Sequence, residues 1–196
     1  PLYDWDAMKK DHYSWWVKRT ERMTKLVDVV RIDHFRGFEA YWSIPYGDPT
    51  AVNGEWVPGP NIDLFNAIKK ALGALPIIAE DLGVITDGVK KLRDDAGFPG
   101  MKVLQFGFIG EENSPHLPHN YENNSIAYTG THDNDTTNGW YDTLPSEQKS
   151  FFEDTVPKFN GMSPAHRLIK YSALSSSELF IIPMQDILSL DSTARF

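Results

Sequence analysis

The chain has 196 residues, 41% of them hydrophobic and 23% charged, with a formal net charge of −8. That length supports one domain with a proper core, and the excess of acid without a dense Lys/Arg cluster argues against nucleic acid as a partner. There is no apolar run of about 18 residues, so no membrane span is expected, and without cysteine neither disulfides nor thiolate metal sites can form.

The chain opens at Pro1 in a segment that already reads as structured, as expected of a piece of a longer protein. The first amphipathic pattern predicts a helix over 11–25, followed by a β-branched strand over 26–32. A long connection runs from Gly37 to Pro60. Pro60 and Asn61 then start a helix over 62–72, and Gly73 stops it. Its Ile62, Phe65, Ile68 and Leu72 share one face, opposite Lys69 and Lys70. Further strands are predicted over 75–79, 102–106, 125–128 and 179–183, with helices over 87–95, 146–153 and 164–175. Another long connection covers 111–124. Short apolar strands bounded by polar residues are expected to be buried on both faces.

Strands alternating with helices imply parallel pairing through right-handed crossovers. Five strands suit an open doubly wound sheet or part of a (β/α)8 barrel, which takes roughly 250 residues. Periodicity leaves both open. In either case the carboxyl ends of the strands share one face, where ligands bind. The reactive residues fall there: Asp33 after "VVRI", Glu80 after "LPIIA", Asp133 in "TGTHDND", and Gln185 and Asp186 after "LFIIPM". The long connections are rich in aromatics, which argues for function over disorder. Trp42, Tyr46, Trp56, Trp140 and Tyr141 sit in polar, Gly/Pro-rich surroundings. Such rings anchor loops, or stack on the C–H face of a sugar.

Three carboxylates at three strand ends fit glycosidic chemistry. There one carboxylate attacks the anomeric carbon and one carboxylic acid protonates the leaving oxygen, which demands two different environments. Arg31 and Asp33 are two apart and face the same side of a strand, so the guanidinium can orient the carboxylate. Glu80 follows the apolar run Ile77-Ile78-Ala79, where desolvation raises a carboxyl pKa and suits a proton donor. Taken singly, each of these residues reads more readily as a cap or a loop residue than as a catalytic one.

Other templates fit worse. Asp133, Asp135 and Thr137 begin like a calcium loop, but Asn138 and Leu144 stand where Gly and Glu are required. His116 and His119 are three apart with no third ligand at metal spacing. No G-x-S-x-G elbow, P-loop or G-x-G-x-x-G fingerprint occurs.

In their order, the stretches "PLYDWDAMKKDHYSWW", "VRIDHFRGFEAYWSIP", "IIAEDLGVIT", "GFPGMKVLQFGF", "LPHNY", "YTGTHDNDTTNGWY" and "IIPMQDILSLDSTARF" resemble the 4-α-glucanotransferase (amylomaltase) family. Glu80 lies 47 residues after Asp33, and Asp133 a further 53 on. The resemblance implies a retaining transfer of α-1,4-glucan segments to the 4-hydroxyl of an acceptor. It implies Asp33 as nucleophile, Glu80 as general acid/base and Asp133 as transition-state stabiliser. Arg31 would orient the nucleophile, His34 and His132 would hold sugar hydroxyls, and Phe106, Tyr41 and Trp42 would line the glucan. It also implies an α/β chain that is one domain over 1–196, the C-terminal part of a (β/α)8 (TIM) barrel. That part would hold about strands four to eight and need the missing N-terminal strands. Neither cofactor nor metal is expected; the ligands are α-1,4-glucans and maltooligosaccharides, and the setting is the cytoplasm, or a plastid in a plant. An α-amylase-like hydrolase would use the same carboxylates. A third reading is a fragment inactive by itself, with at most weak glucan binding.

Overall fold

The computed structural model describes residues 2–109 and 112–195. Two compact units divide the chain, residues 1–100 and 101–196.

The first unit begins with α1 (Trp5–Lys10), which Asp4 caps by accepting the Ala7 amide at 2.9 Å. The next helix, α2 (Ser14–Thr24), starts three residues later than the periodicity predicts. His12 and Tyr13 take left-handed φ values of 57° and 56°, which breaks the helix there, and Asp11 receives the Ser14 amide and hydroxyl. The predicted strand 26–32 shrinks to β1 (Val30–Ile32), with Leu26, Val27 and Val29 exposed rather than buried. The long connection folds into an antiparallel ribbon, β2 (Ala40–Ser43) and β3 (Glu55–Pro58), with Trp42 opposite Trp56. α3 (Asn61–Leu72) follows as expected and ends at Gly73, where φ is +84°. β4 (Ile77–Ala79) lies parallel to β1 with Ile32 opposite Ala79. α4 (Asp87–Ala96) is capped by Thr86 and closed by left-handed Gly97. Phe35, Leu64, Phe65, Ile68, Leu92 and Phe98 form the core.

The second unit begins within β5 (Gly100–Val103), which replaces the predicted strand 102–106. After Val103 the chain tightens into a 3-10 turn, Leu104–Phe108, so Phe106 lies on a turn. β6 (Ser125–Tyr128) has the predicted bounds, and β7 (Leu179–Ile181) runs parallel to it with Tyr128 opposite Ile181. Leu179 and Ile181 are exposed, so β7 is not buried on both faces as predicted. The reason is packing: Phe180 faces the neighbouring apolar core, whereas Leu179 and Ile181 share the opposite face and are not part of that core. Helices α5 (Thr137–Thr143), α6 (Ser146–Thr155) and α7 (Pro164–Ser172) precede β7, and the short α8 (Met184–Ile187) follows it. Their core centres on Leu104, Phe108, Leu117, Phe152 and Leu168. Within the connection 111–124, Glu111 lies outside the described residues; the remainder includes a 3-10 turn at Pro118–Asn120.

Candidate active site

Parallel register places Asp33 and Glu80 side by side. Each is the first residue beyond a paired position, Ile32 and Ala79, so each leaves its strand at the same level. The strand ladder continues past them, since the Glu80 amide donates to the Ile32 carbonyl at 2.9 Å and the Phe35 amide to the Glu80 carbonyl at 3.0 Å.

Asp33 receives Arg31 Nη2 on Oδ1 at 2.6 Å, the i, i+2 contact read from the sequence. Its side chain is 82% exposed, so the pair adds little to stability; what it supplies is orientation. Glu80 is half-buried and held by two backbone donors, the His34 amide on Oε2 at 2.7 Å and the Leu82 amide on Oε1 at 3.1 Å. Burial pushes its pKa above the ordinary carboxyl value and outweighs those two amides, which pull it down; the charge of Asp33 pushes it further up and Arg31 opposes. The two carboxyls are thus set apart, one open and arginine-bound, one withdrawn and favouring its proton.

His34 is left-handed, with φ 48° and ψ 48°. This turns the chain sharply after Asp33 and aims the His34 amide at Glu80. The imidazole folds over Gly37, where a Cβ would come within 2.9 Å of Cδ2, so a side chain there would push the ring from this position. Asp33, His34, Tyr41 and Trp42 line a cleft of about 400 Å³ together with Leu2, Tyr3, Trp5, Trp16, Gly37 and Phe38. Six of these ten are aromatic, a lining suited to a ligand with apolar faces. The letters did not mark Tyr3, Trp5, Trp16 and Phe38 as cleft residues; aromatic density near the N-terminus was the available signal for the first three.

The second unit carries the remaining candidates. Asp133 is exposed, with His132 Nε2 3.4 Å from its Oδ1. Its loop is fixed locally. The Asn134 side chain accepts the Thr131 amide at 2.9 Å, the Asp133 amide donates to Thr131 Oγ1 at 3.3 Å, and Arg195 Nη2 reaches the Asp133 carbonyl at 3.2 Å. Gln105 Nε2 donates to the Asp135 carbonyl at 2.9 Å, tying the loop to the turn that carries Phe106. Phe106 is partly exposed and meets His116 edge-on. Behind the loop, buried Asp186 accepts Thr129 Oγ1 at 2.5 Å and the Thr137 amide and hydroxyl at 2.7 and 2.8 Å. Asp186 is therefore a structural anchor, a role its position after a strand does not reveal.

His116 and His119 have separate partners. His116 Nδ1 accepts the Val103 amide at 3.2 Å, and burial, aided by Lys102, pushes its pKa down to about 4. His119 contacts Tyr171 Oη at 3.2 Å. No group of three or more metal-ligating side chains is present among the described residues.

Parallel strands with helices between them, and reactive side chains at the carboxyl ends, define the class: an α/β chain that is part of a (β/α)8 barrel. Within that class the chain belongs to the 4-alpha-glucanotransferase family, whose match covers residues 1–196. It is 51% identical over 195 residues to the potato (Solanum tuberosum) protein named "4-alpha-glucanotransferase, chloroplastic/amyloplastic", all of this chain and 34% of that one. It is 46% identical over 202 residues to the Thermus thermophilus 4-alpha-glucanotransferase, all of this chain and 40% of that one. Among solved structures, the amylomaltase from Streptococcus agalactiae in complex with acarbose superposes with a TM-score of 0.95 at 41% identity, covering all of this chain and 40% of that chain. An amylomaltase from Corynebacterium glutamicum, 16% identical with a TM-score of 0.66, shares the fold. The chain spans between a third and two-fifths of the length of these first relatives.

Proposed function

We propose that this chain is the part of a longer (β/α)8 enzyme that carries its catalytic carboxylates, and that the enzyme transfers α-1,4-glucan segments with retention of configuration. The observation that carries this is the pairing of Asp33 and Glu80 at adjacent strand ends in opposed environments. Retaining chemistry needs two carboxyls about 5–5.5 Å apart, one a nucleophile and one a proton carrier.

The steps follow from those environments. Glu80, protonated, gives its proton to the glycosidic oxygen while the Asp33 carboxylate attacks the anomeric carbon; the C–O bond breaks and the released chain leaves as an alcohol. Glu80, now a carboxylate, takes the proton of an acceptor 4-hydroxyl. That oxygen attacks the anomeric carbon and expels Asp33, restoring both groups. Arg31 orients Asp33. Family resemblance supports Asp133 as the stabiliser of the distorted ring, with His34 and His132 on sugar hydroxyls and Tyr41, Trp42 and Phe106 along the glucan. Side chains perform every proton transfer and the covalent capture, so the scheme requires no cofactor. The proposed ligands are maltooligosaccharides and longer α-1,4-glucans, in line with family membership and with the acarbose bound to the solved relative. The plant relatives' chloroplastic names support a plastid setting if the protein is a plant's.

The test is incubation of the complete protein with maltotriose. Glucose plus longer oligomers at constant reducing ends is the expected outcome. A net gain of reducing ends identifies a hydrolase, and no change in either overturns the proposal.

A further inference from the structure

The ribbon formed by β2 and β3 holds a second aromatic feature that the cleft does not include. Trp56 is half exposed and lies outside the residues that line the cleft. Its ring has a fixed setting. The Arg36 guanidinium lies over it, 4.0 Å from the ring centroid, and Trp42 meets it at 5.3 Å with planes 66° apart. Trp42 is itself pinned, its Nε1 donating to the Ala51 carbonyl at 2.8 Å, and it lines the cleft beside Asp33.

Arg36 is buried, and its other contacts lead toward Glu80. Nη1 donates to the Val84 carbonyl at 3.0 Å, four residues beyond Glu80, and Nη2 lies 3.6 Å from Glu39 Oε2. One side chain thus backs the exposed indole and holds the segment that follows the acid/base. A guanidinium stacked on one face withdraws that face from solvent and leaves the rest of the ring to a ligand. An exposed indole held this rigidly stacks without losing rotamer freedom on binding.

From this geometry we infer an outer glucan subsite, in which Trp56, backed by Arg36, stacks against a glucose unit of a chain that continues out of the cleft past Trp42. Arg36 is the positioning residue of that subsite. The occupant is a segment of the same α-1,4-glucan: the ring adjoins the cleft through Trp42, and a helical, ring-faced polymer offers its C–H faces in succession. The inference rests on the proposed function for the identity of the ligand and adds a determinant of chain-length preference to it.

The test uses the complete protein with turnover silenced by Asp33→Asn, and reads calorimetric affinity for maltoheptaose and maltotriose. Adding Trp56→Ala is expected to weaken maltoheptaose about tenfold and maltotriose by much less. Trp56→Phe, which keeps a stacking face, is expected to restore most of the loss, and Arg36→Met to reproduce part of it. Equal weakening of both sugars, no weakening of either, or no restoration by Phe overturns the subsite. In the active protein, Trp56→Ala is expected to lower the ratio of kcat/KM for maltoheptaose over maltotriose by a similar factor. If the active protein neither transfers nor hydrolyses, the functional proposal fails while the affinity measurements still decide the subsite.

Discussion

The His34 amide donates to Glu80 Oε2 at 2.7 Å, so the turn after one strand grips the carboxyl at the end of its neighbour. His34 reaches this position only by taking a left-handed φ of 48°, a conformation that costs a non-glycine residue about 1–2 kcal/mol. Replacing His34 with Val, which tolerates that region worst, is expected to lower stability by more than replacing it with Asn. Thermal unfolding of the two variants checks the order.

Glu80 has a raised pKa in the folded state, caused first by burial. Between the unfolded value near 4.5 and the raised folded value, the native state binds more protons than the unfolded one, so this group's contribution to stability falls as pH rises through that window. The stability of the native protein relative to Glu80→Gln should therefore decrease from pH 4 upward, whatever constant offset the lost hydrogen bonds introduce. In the complete enzyme, kcat/KM should fall on the alkaline side of the raised pKa, because the leaving oxygen then finds no proton. Glu80→Gln and Asp33→Ala should each remove nearly all turnover with the circular dichroism spectrum unchanged. Near-normal rates in either would refute the assigned roles.

His116 contributes with the opposite sign. Its pKa falls from 6.5 to about 4, so the unfolded state binds more protons between those values, and stability is lost as pH drops through them. The full contribution, present above pH 6.5, is at most about 3 kcal/mol. Denaturant titrations at pH 7 and pH 4.5 should show a smaller acid loss in His116→Gln than in the native chain. An identical loss would remove His116 as the cause.

Asp81 and Arg93 form a buried ion pair at 2.9 Å beside Gly100, where a Cβ would stand 2.5 Å from Asp81 Oδ2 and 2.9 Å from Arg93 Nη1. Gly100→Ala cannot be accommodated without moving the pair. Arg93→Met removes this ion pair from the buried Asp81 carboxylate and is expected to destabilise by at most about 3–5 kcal/mol. Urea midpoints measure both, and a change below about 1 kcal/mol in Arg93→Met would show the pair to be dispensable.

Asp186 satisfies two threonine hydroxyls and one amide at the ends of β6 and α5. Asp186→Ala should destabilise by roughly 2–4 kcal/mol by stranding those donors, and Asp186→Asn by less. Unfolding curves that fail to separate the two variants would contradict this ranking.

Some of this was legible in the letters. Apolar period and punctuation located α3, α4, α6 and β6 closely, because burial face, cap and stop are local properties of a segment. The i, i+2 relation of Arg31 to Asp33 and the apolar run before Glu80 likewise foretold a bound carboxylate and a raised pKa, since both depend on a few neighbouring residues. The ribbon was not legible: Ala40–Ser43 and Glu55–Pro58 pair across a Gly/Pro-rich connection, and only their mutual register makes them strands. The same holds for Phe106, read as a strand residue but placed on a 3-10 turn.

The sequence by itself determined the family, the parallel α/β pattern and the chemical identity of the candidate carboxylates, because each is written in residue type and short-range spacing. Only the tertiary structure decided that the His34 amide clamps Glu80, that Arg36 joins Trp56 to the segment beyond Glu80, and that Asp186 is an anchor and not a reagent. Those relations join residues 20 to 57 positions apart, and a hydrogen bond or a stacked ring over such a separation exists only once the chain has closed the distance.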